Sequence, residues 1–337
     1  MATAVEEKIV DLDKDHFYDS GKVTVDGATM RCWKAGGHGS QTFLEVVQNS
    51  CNPGFVELGR RIGKETLFKY IDKFGFGEKT GVDLNGEGSG ILFSLDKVGP
   101  VELATTAFGQ GVSVTAIQQV VAVSAAINGG TLYKPYIVKR LLEPETGEII
   151  QENSSKIVRK VISNDTSKKV RYALESVVAL GSGRNAYIEG YRVGGKTGTA
   201  QKVNNGVYMV GNYITSFIGF LPADKPEVVL YVAIDNPKGI SAYGGTVAAP
   251  IARTILKDSI NALDLKKRTG GLSKEYRYFD TKYITVPDVV GKTIKEAKEL
   301  LKDFTIEYSG KGDVVVSTSP SAGSSIPINS SIRLMLG

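Results

Sequence analysis

"YRVGGKTGTAQKV" occupies residues 191–203, and from there the repeat of the chain changes. This stretch, "YITSFIGFLP" (213–222) and "EVVLYVAIDNP" (227–237) are β-branched and aromatic runs separated by Gly, Asn and Pro. Such runs predict consecutive antiparallel strands. "GGTVAAPIARTILKDSINAL" (244–263) returns to helical spacing. Three strands, a closing helix and helical patterns upstream predict an α+β fold, an antiparallel sheet covered by helices beside a helical subdomain.

Working towards the N-terminus, "NDTSKKVRYALESVVAL" (164–180) opens on good cap residues and sets Val170, Leu174, Val177 and Val178 on one helical face. Residues 101–130 are small and apolar on all sides, as in a helix pair buried in a core, and stop at Gly129-Gly130. Residues 41–76 read as helices punctuated by glycine, with Pro53 at a helix-opening position. "ATAVEEKIVDLDKD" (2–15) looks like the second half of a helix. Towards the other end, residues 264–283 are polar and Gly-containing, a linker. Residues 284–337 form a small separate unit with one helix, Thr293 to about Phe304. Its Ile294, Ala297, Leu300 and Leu301 are expected to face a core too small to be very stable by itself. The expected domains are therefore 1–263, a linker 264–283, and 284–337.

Composition narrows the function classes. Hydrophobic residues make up 42% and charged residues 23% of 337, ordinary for a soluble globular chain of about two domains. No apolar run reaches membrane-spanning length, and Met1 opens straight onto "ATAVEEK" without a signal peptide. The net charge of +5 either favours an anionic surface such as wall polymer or phospholipid, or reflects solvated lysines. Lys266-Lys267-Arg268 lacks the aromatic interleaving of a nucleic-acid site. His16, His38, Cys32 and Cys51 show no metal-ligand spacing, so neither a metal nor a cofactor is expected.

Lys196-Thr197-Gly198-Thr199 carries the most specific chemistry. On a strand, Lys196 and Thr197 project from alternate faces, and Gly198 leaves room for a ligand against the backbone. Thr199 adds a hydroxyl and a backbone N–H, a set suited to an acyl substrate with a terminal carboxylate. Ser50-Cys51-Asn52 falls at a break between two helices, where Ser50 can relay protons and Asn52 can hydrogen-bond a substrate amide. The alternative is that Asn52 merely caps the helix before Pro53.

Together, Ser50-Cys51-Asn52, Lys196-Thr197-Gly198, "FGFG" (74–77), "FGQGVSVTAIQQ" (108–119) and "AAINGG" (125–130) resemble class B penicillin-binding proteins of the sporulation type. "VPDVVGKTIKEAKELL" (286–301) is similar to a PASTA domain. The resemblance spans residues 2–337. It implies the transpeptidase fold and D,D-transpeptidation of peptidoglycan in cell-wall or spore-cortex cross-linking, outside the cytoplasmic membrane and membrane-anchored in the intact family member. It implies peptidoglycan stem peptides and β-lactams as ligands, the latter weak or non-covalent here, with a glycosyltransferase and a thiol–disulfide oxidoreductase as partners. Ser50, Asn52 and Lys196 take catalytic positions; Lys196, Thr197, Gly198 and Thr199 bind substrate. The family's nucleophile lies in Ser-x-x-Lys, and the one literal match, Ser94-Leu95-Asp96-Lys97, is far from its expected place. The nucleophile segment is thus expected ahead of Met1, making this chain an N-terminally truncated fragment that is inactive alone. Cys32 and Cys51 are either a redox pair controlling the Ser50–Asn52 motif or two buried thiols. The competing functions are a non-catalytic peptidoglycan-binding scaffold, and a β-lactamase or β-lactam sensor, which the PASTA resemblance disfavours.

Overall fold

The computed structural model describes residues 1–204, 206–239, 242–276 and 283–337 and divides into two compact units, Met1–Lys274 and Glu275–Gly337. The first unit begins with α1 (Ala2–Glu6), shorter than the helix expected over residues 2–15. The chain leaves it through Lys8, whose φ of 56° is left-handed, while Ile9 N–H bonds Ala4 O at 2.8 Å. Short strands that the sequence reading did not anticipate follow: β1 (His16–Asp19), β2 (Lys22–Val25), β3 (Ala28–Arg31) and β4 (Gly39–Thr42). β1 pairs antiparallel with β4, and β2 with β3 across an Asp26-Gly27 turn with positive φ at both residues, the arrangement that matches strand twist in a tight hairpin.

The helices expected over 41–76 are α2 (Phe43–Asn49), α3 (Asn52–Ile62) and α4 (Lys64–Lys73), separated at Ser50-Cys51 and at Gly63. Thr42 and Glu45 close a capping box on α2. Residues 101–130 form α5 (Pro100–Ala107) and α6 (Ala116–Ile127), but they are not buried on all sides. Only Ala104 of α5 is buried, because one face packs on α3 and the rest is left half-covered. Beyond α6, β5 (Thr131–Lys134) pairs with β8 (Lys156–Lys160) and β6 (Arg140–Leu142) with β7 (Ile149–Glu152), a largely exposed ribbon pair also missed in the sequence.

α7 (Asn164–Ala179), capped by Ser163, buries Val170, Leu174, Val177 and Val178 as its spacing predicts. The sheet is β9 (Gly194–Asn204), β10 (Val207–Leu221) and β11 (Val228–Asp235) in the order β11-β10-β9, all antiparallel, and α8 (Gly244–Ala262) returns across it. Side chains alternate across a strand. Phe217 and Leu221 accordingly pack with Ala248, Ala252 and Leu256 of α8. Phe220, of opposite parity, packs with Val170 and Leu174 of α7. The sheet is therefore sandwiched between two helices, with β9 as its edge on the side of α2 and α3. Residues 264–274, expected to begin a linker, are tied to this unit: Arg268 bonds Asp224 at 3.0 Å and its N–H bonds Gly190 O at 2.9 Å. Residues 277–282 of that stretch lie outside the described residues. Among the described residues no helix is long and apolar enough to cross a membrane.

The second unit holds β12 (Tyr283–Thr285), α9 (Ile294–Leu300), β13 (Thr305–Gly310), β14 (Val315–Ser319), β15 (Ser325–Pro327) and β16 (Ser331–Leu336). β16 is central, parallel to β13 and antiparallel to β14. α9 buries Ala297, and Leu301 just beyond it, against Val315, Ile332 and Leu334; Leu300, expected inside, is exposed because the helix ends at that turn. With so small a core, Leu301→Ala removes ~2–5 kcal/mol. It is expected to make residues 284–337 protease-sensitive in the full chain while the first unit stays intact, read by timed proteolysis and mass spectrometry.

Candidate active site

α2 ends on Ser50 in the left-handed conformation (φ 52°, ψ 47°). A non-glycine residue there costs about 1–2 kcal/mol, so the junction has to be held by its surroundings. Cys51 N–H bonds Val46 O at 3.1 Å, and Phe55 N–H bonds Cys51 O at 3.0 Å. Gly54 lets α3 pass directly over Val46, whose methyl carbons lie 2.7–2.8 Å from where a Cβ would sit. Cys51, not Asn52, is the N-cap of α3, so the reading of Asn52 as a cap is corrected. The Asn52 carboxamide instead donates to Arg31 O at 3.0 Å, joining the motif to β3.

The strained turn delivers Ser50 Oγ to β9. Lys196 Nζ donates to Ser50 Oγ at 2.6 Å and to Thr197 O at 3.1 Å. Desolvation brings the Lys196 ammonium down to about 8. It remains mainly a cation at neutral pH but is poised to exchange a proton with a hydroxyl. Thr197 and Thr199 occupy the opposite strand face. Thr197 Oγ1 meets Ser182 Oγ at 3.0 Å, and Thr199 Oγ1 accepts from Gly244 N–H at 3.0 Å. Gly198 also leaves room for a hydroxyl of the paired strand: a Cβ there would meet Ser216 Oγ at 2.4 Å and make it turn away. Gly244 and Gly245 bring the start of α8 hard against β9, since a Cβ on Gly244 would meet Gly198 O and Ser216 O at 2.4 Å.

Ser182 escaped the sequence reading, having no motif of its own. Its N–H bonds Gln48 O at 2.9 Å, so it ties α2 to β9. Also unforeseen is an exposed aromatic pair at the rim. Trp33 Nε1–H donates to Asn49 O at 2.7 Å, and its ring stands edge-on to Tyr243 at 6.4 Å. Ser94–Lys97 does not join this group. Leu95–Lys97 is an exposed 3-10 turn in which Lys97 N–H bonds Ser94 O at 2.9 Å. Among the described residues no hydrogen bond links its serine hydroxyl to its lysine.

Cys32 and Cys51 are both free thiols, and they meet Asp19 and His38 behind the Ser50 turn. Burial alone pushes the Asp19 carboxyl up, but hydrogen bonds from Cys32, His38, Gly21 and Cys51 outweigh it and bring it down to about 2. The contact between the thiols pushes Cys51 up, with burial adding to it, and lowers Cys32. Cys32 is thus the more readily ionised of the two.

The site is thus a sandwiched antiparallel sheet whose edge lysine reaches a serine at a helix–helix break. The chain belongs to the penicillin binding protein transpeptidase domain family, whose model matches residues 1–257, and a PASTA domain matches residues 284–337. Stage V sporulation protein D of Bacillus subtilis is 60% identical over 336 residues, covering 100% of this chain and 52% of that protein. Penicillin-binding protein PbpB of Mycolicibacterium smegmatis is 32% identical over 266 residues, 75% of this chain and 40% of its own. The chain spans about half the length of the curated relatives it matches. Among solved structures, penicillin binding protein 3 from Mycobacterium tuberculosis complexed with ampicillin aligns with a TM-score of 0.72 and 29% identity, over 82% of this chain and 63% of that one. Penicillin binding protein 2X from Streptococcus thermophilus aligns over 100% of this chain and 50% of its own, with a TM-score of 0.70 and 21% identity, a likeness of fold.

The Lys196 environment sets a pH dependence. Its lowered pKa means that the ammonium is lost as pH rises through about 8, and with it the attraction for a carboxylate. Binding of a peptide with a free C-terminal carboxylate is expected to weaken several-fold between roughly pH 7 and 9. Calorimetric titration at several pH values checks this, and in Lys196→Ala the inflection is expected to vanish.

Proposed function

We propose that residues 1–257 form the substrate-holding side of a penicillin-sensitive peptidoglycan D,D-transpeptidase, acting outside the cytoplasmic membrane in cell-wall or spore-cortex cross-linking. The observation that carries this reading is the 2.6 Å bond from Lys196 Nζ to Ser50 Oγ, which couples the sheet edge to the helical junction. The reaction is acyl transfer. A serine attacks the penultimate D-alanine carbonyl of a stem peptide and D-alanine leaves. An amine of a second strand then resolves the ester.

β9 is an edge strand, so an extended stem peptide can lie along it by strand addition. Lys196 and the hydroxyls of Thr197, Ser182 and Thr199 supply the cation and donors for the terminal carboxylate. The Thr199 N–H is one oxyanion donor. Ser50, held by Lys196, passes the proton to the leaving amine, and Asn52 orients the substrate amide. The ampicillin complex of the mycobacterial neighbour supports β-lactams as ligands. A glycosyltransferase that supplies the polymer is the expected partner, and the PASTA unit the expected wall contact.

Ser94 does not serve as the nucleophile in this reading, because its turn stands outside the site. The 337-residue chain is expected to form no acyl adduct with a labelled penicillin, read by intact mass. Joined to a segment that supplies a Ser-x-x-Lys serine ahead of residue 1, it is expected to acylate. Ser50→Ala or Lys196→Ala should then slow acylation by about 100-fold or more. An adduct on any serine of the chain alone overturns the first expectation. Unchanged acylation in both variants overturns the site, and muropeptide binding lost with residues 284–337, without turnover in the joined protein, favours a scaffold.

The thiols support a second reading, a redox pair with a thiol–disulfide oxidoreductase as partner. Cys32 and Cys51 are free, and their sulfurs lie within 4.8 Å of each other. A disulfide would lock the Ser50–Asn52 turn and add about 3 kcal/mol by closing the loop. Mild oxidation is expected to remove both alkylatable thiols together and raise the melting temperature, with neither change in Cys32→Ser. Two thiols still alkylated after oxidation would sink this reading.

A further inference from the structure

The mechanism leaves one cluster of reactive side chains unused. Asp19 at the end of β1, Cys32 and His38 in the β3–β4 loop, and Cys51 at the head of α3 each bring one ligand atom into a single group. These atoms all lie within 4.8 Å of one another. His38 Nδ1 is 2.8 Å from Asp19 Oδ2 and 3.3 Å from Cys32 Sγ, and Cys51 Sγ is 3.3 Å from Asp19 Oδ2. A tetrahedral centre with Zn–S near 2.3 Å and Zn–N or Zn–O near 2.0–2.2 Å spaces its ligand atoms about 3.3–3.8 Å apart. The hydrogen-bonded contacts of 2.8–3.3 Å lie at or below the short end of that range, and shedding the protons that now bridge them, with an outward shift of up to about half an ångström, brings them into it.

The surroundings are built around the cluster. Asp19 is 1% exposed and Cys51 fully buried, and the His38 side chain is 6% exposed. Gly37 has a left-handed φ of 78°, and a Cβ on it would meet Asp19 O and Gly21 N at 2.3 Å, so only glycine lets the His38 loop close onto β1. Asp19 Oδ1 accepts from Gly21 N–H at 2.7 Å, and Oδ2 from His38 N–H at 3.0 Å, which orients the carboxylate. Gln41 Nε2 donates to Cys51 Sγ at 3.0 Å, and the amide is held that way round because its Oε1 accepts from Asn49 at 3.1 Å. A donor aimed at sulfur is the support a metal-bound thiolate uses. His38 Nδ1 is the ring nitrogen that faces the cluster, and among the described residues its Nε2 is buried without a hydrogen-bond partner.

We infer that the reduced chain binds a single Zn2+ through Asp19 Oδ2, Cys32 Sγ, His38 Nδ1 and Cys51 Sγ. Two thiolates, an imidazole and a carboxylate disfavour Mg2+ and Ca2+, which take oxygen ligands, and match tetrahedral Zn2+. Binding displaces the thiol protons and joins β1, the β3–β4 loop and the head of α3, one residue from Ser50. It concerns the reduced thiols and stands independently of the transpeptidase reading.

The test uses the 337-residue chain, kept reduced with a phosphine. It is expected to retain one Zn2+ per chain against a chromophoric chelator. Zn2+ should protect Cys32 from alkylation. Co2+ should give the thiolate-to-metal charge-transfer band and the intense visible bands of a tetrahedral centre. Cys32→Ser, the change at the less buried thiol, and Cys51→Ser should each weaken that charge-transfer band. Asp19→Asn should keep it while lowering Zn2+ affinity beyond the roughly 10–100-fold typical of outer-shell changes. Circular dichroism and melting of each variant separate lost binding from lost folding. Failure to hold stoichiometric Zn2+, absence of the thiolate band, or an affinity unaltered in both cysteine variants overturns the inference.

Discussion

Two phenylalanine rings occupy the space that side chains at positions 194 and 195 would fill. A Cβ on Gly194 would meet Phe220 Cζ at 2.3 Å, and one on Gly195 would meet Phe217 Cζ at 2.4 Å. β9 can therefore lie flat against β10 in a single register, Gly194 opposite Phe220 and Lys196 opposite Ile218. A slip of one residue would place the Val193 or Lys196 side chain on an aromatic ring and turn the strand over. Every feature of the cleft follows from that register. Lys196 faces the α7 side and reaches Ser50, while Thr197 and Thr199 face Ser182 and the start of α8.

The partner side of the cleft is held by different means. Ser50 is kept left-handed by the close passage of α3 over Val46 at Gly54 and by hydrogen bonds on both flanks. Its neighbour Cys51 is buried in a polar knot with Asp19, Gln41, Cys32 and His38. The low-lying Asp19 carboxyl supplies negative charge there, and the thiols and imidazole answer it. Whatever changes the protonation, oxidation or ligation of that knot acts on Cys51, and so on the geometry of the serine and asparagine beside it.

Much of this was legible in the chain itself. The three strands, α7 with its buried stripe, α8 and the helices over 41–76 all showed their periods, because each buries a regular face. What went unread were strands that bury little, β1–β4 and β5–β8, while α5 and α6 were read as helices but expected buried on all sides, and they are half-exposed. With few core positions, the strands carry no strong period. The second unit's helix ended early enough to leave Leu300 outside.

For the candidate site, local sequence supplied the residue types and tertiary structure decided who meets whom. Lys196-Thr197-Gly198 and Ser50-Cys51-Asn52 are contiguous motifs, and their residue types alone pointed to acyl transfer. The 146-residue separation of Lys196 from Ser50 is bridged only because the sheet edge is packed beside the α2–α3 break. Asp19, Cys32, His38 and Cys51 show no ligand spacing along the chain; a strand end, a loop folded back at Gly37 and a helix head bring them together. Periodicity and motif are local properties of a chain, whereas a cluster assembled from three elements exists only once their packing has fixed the distances.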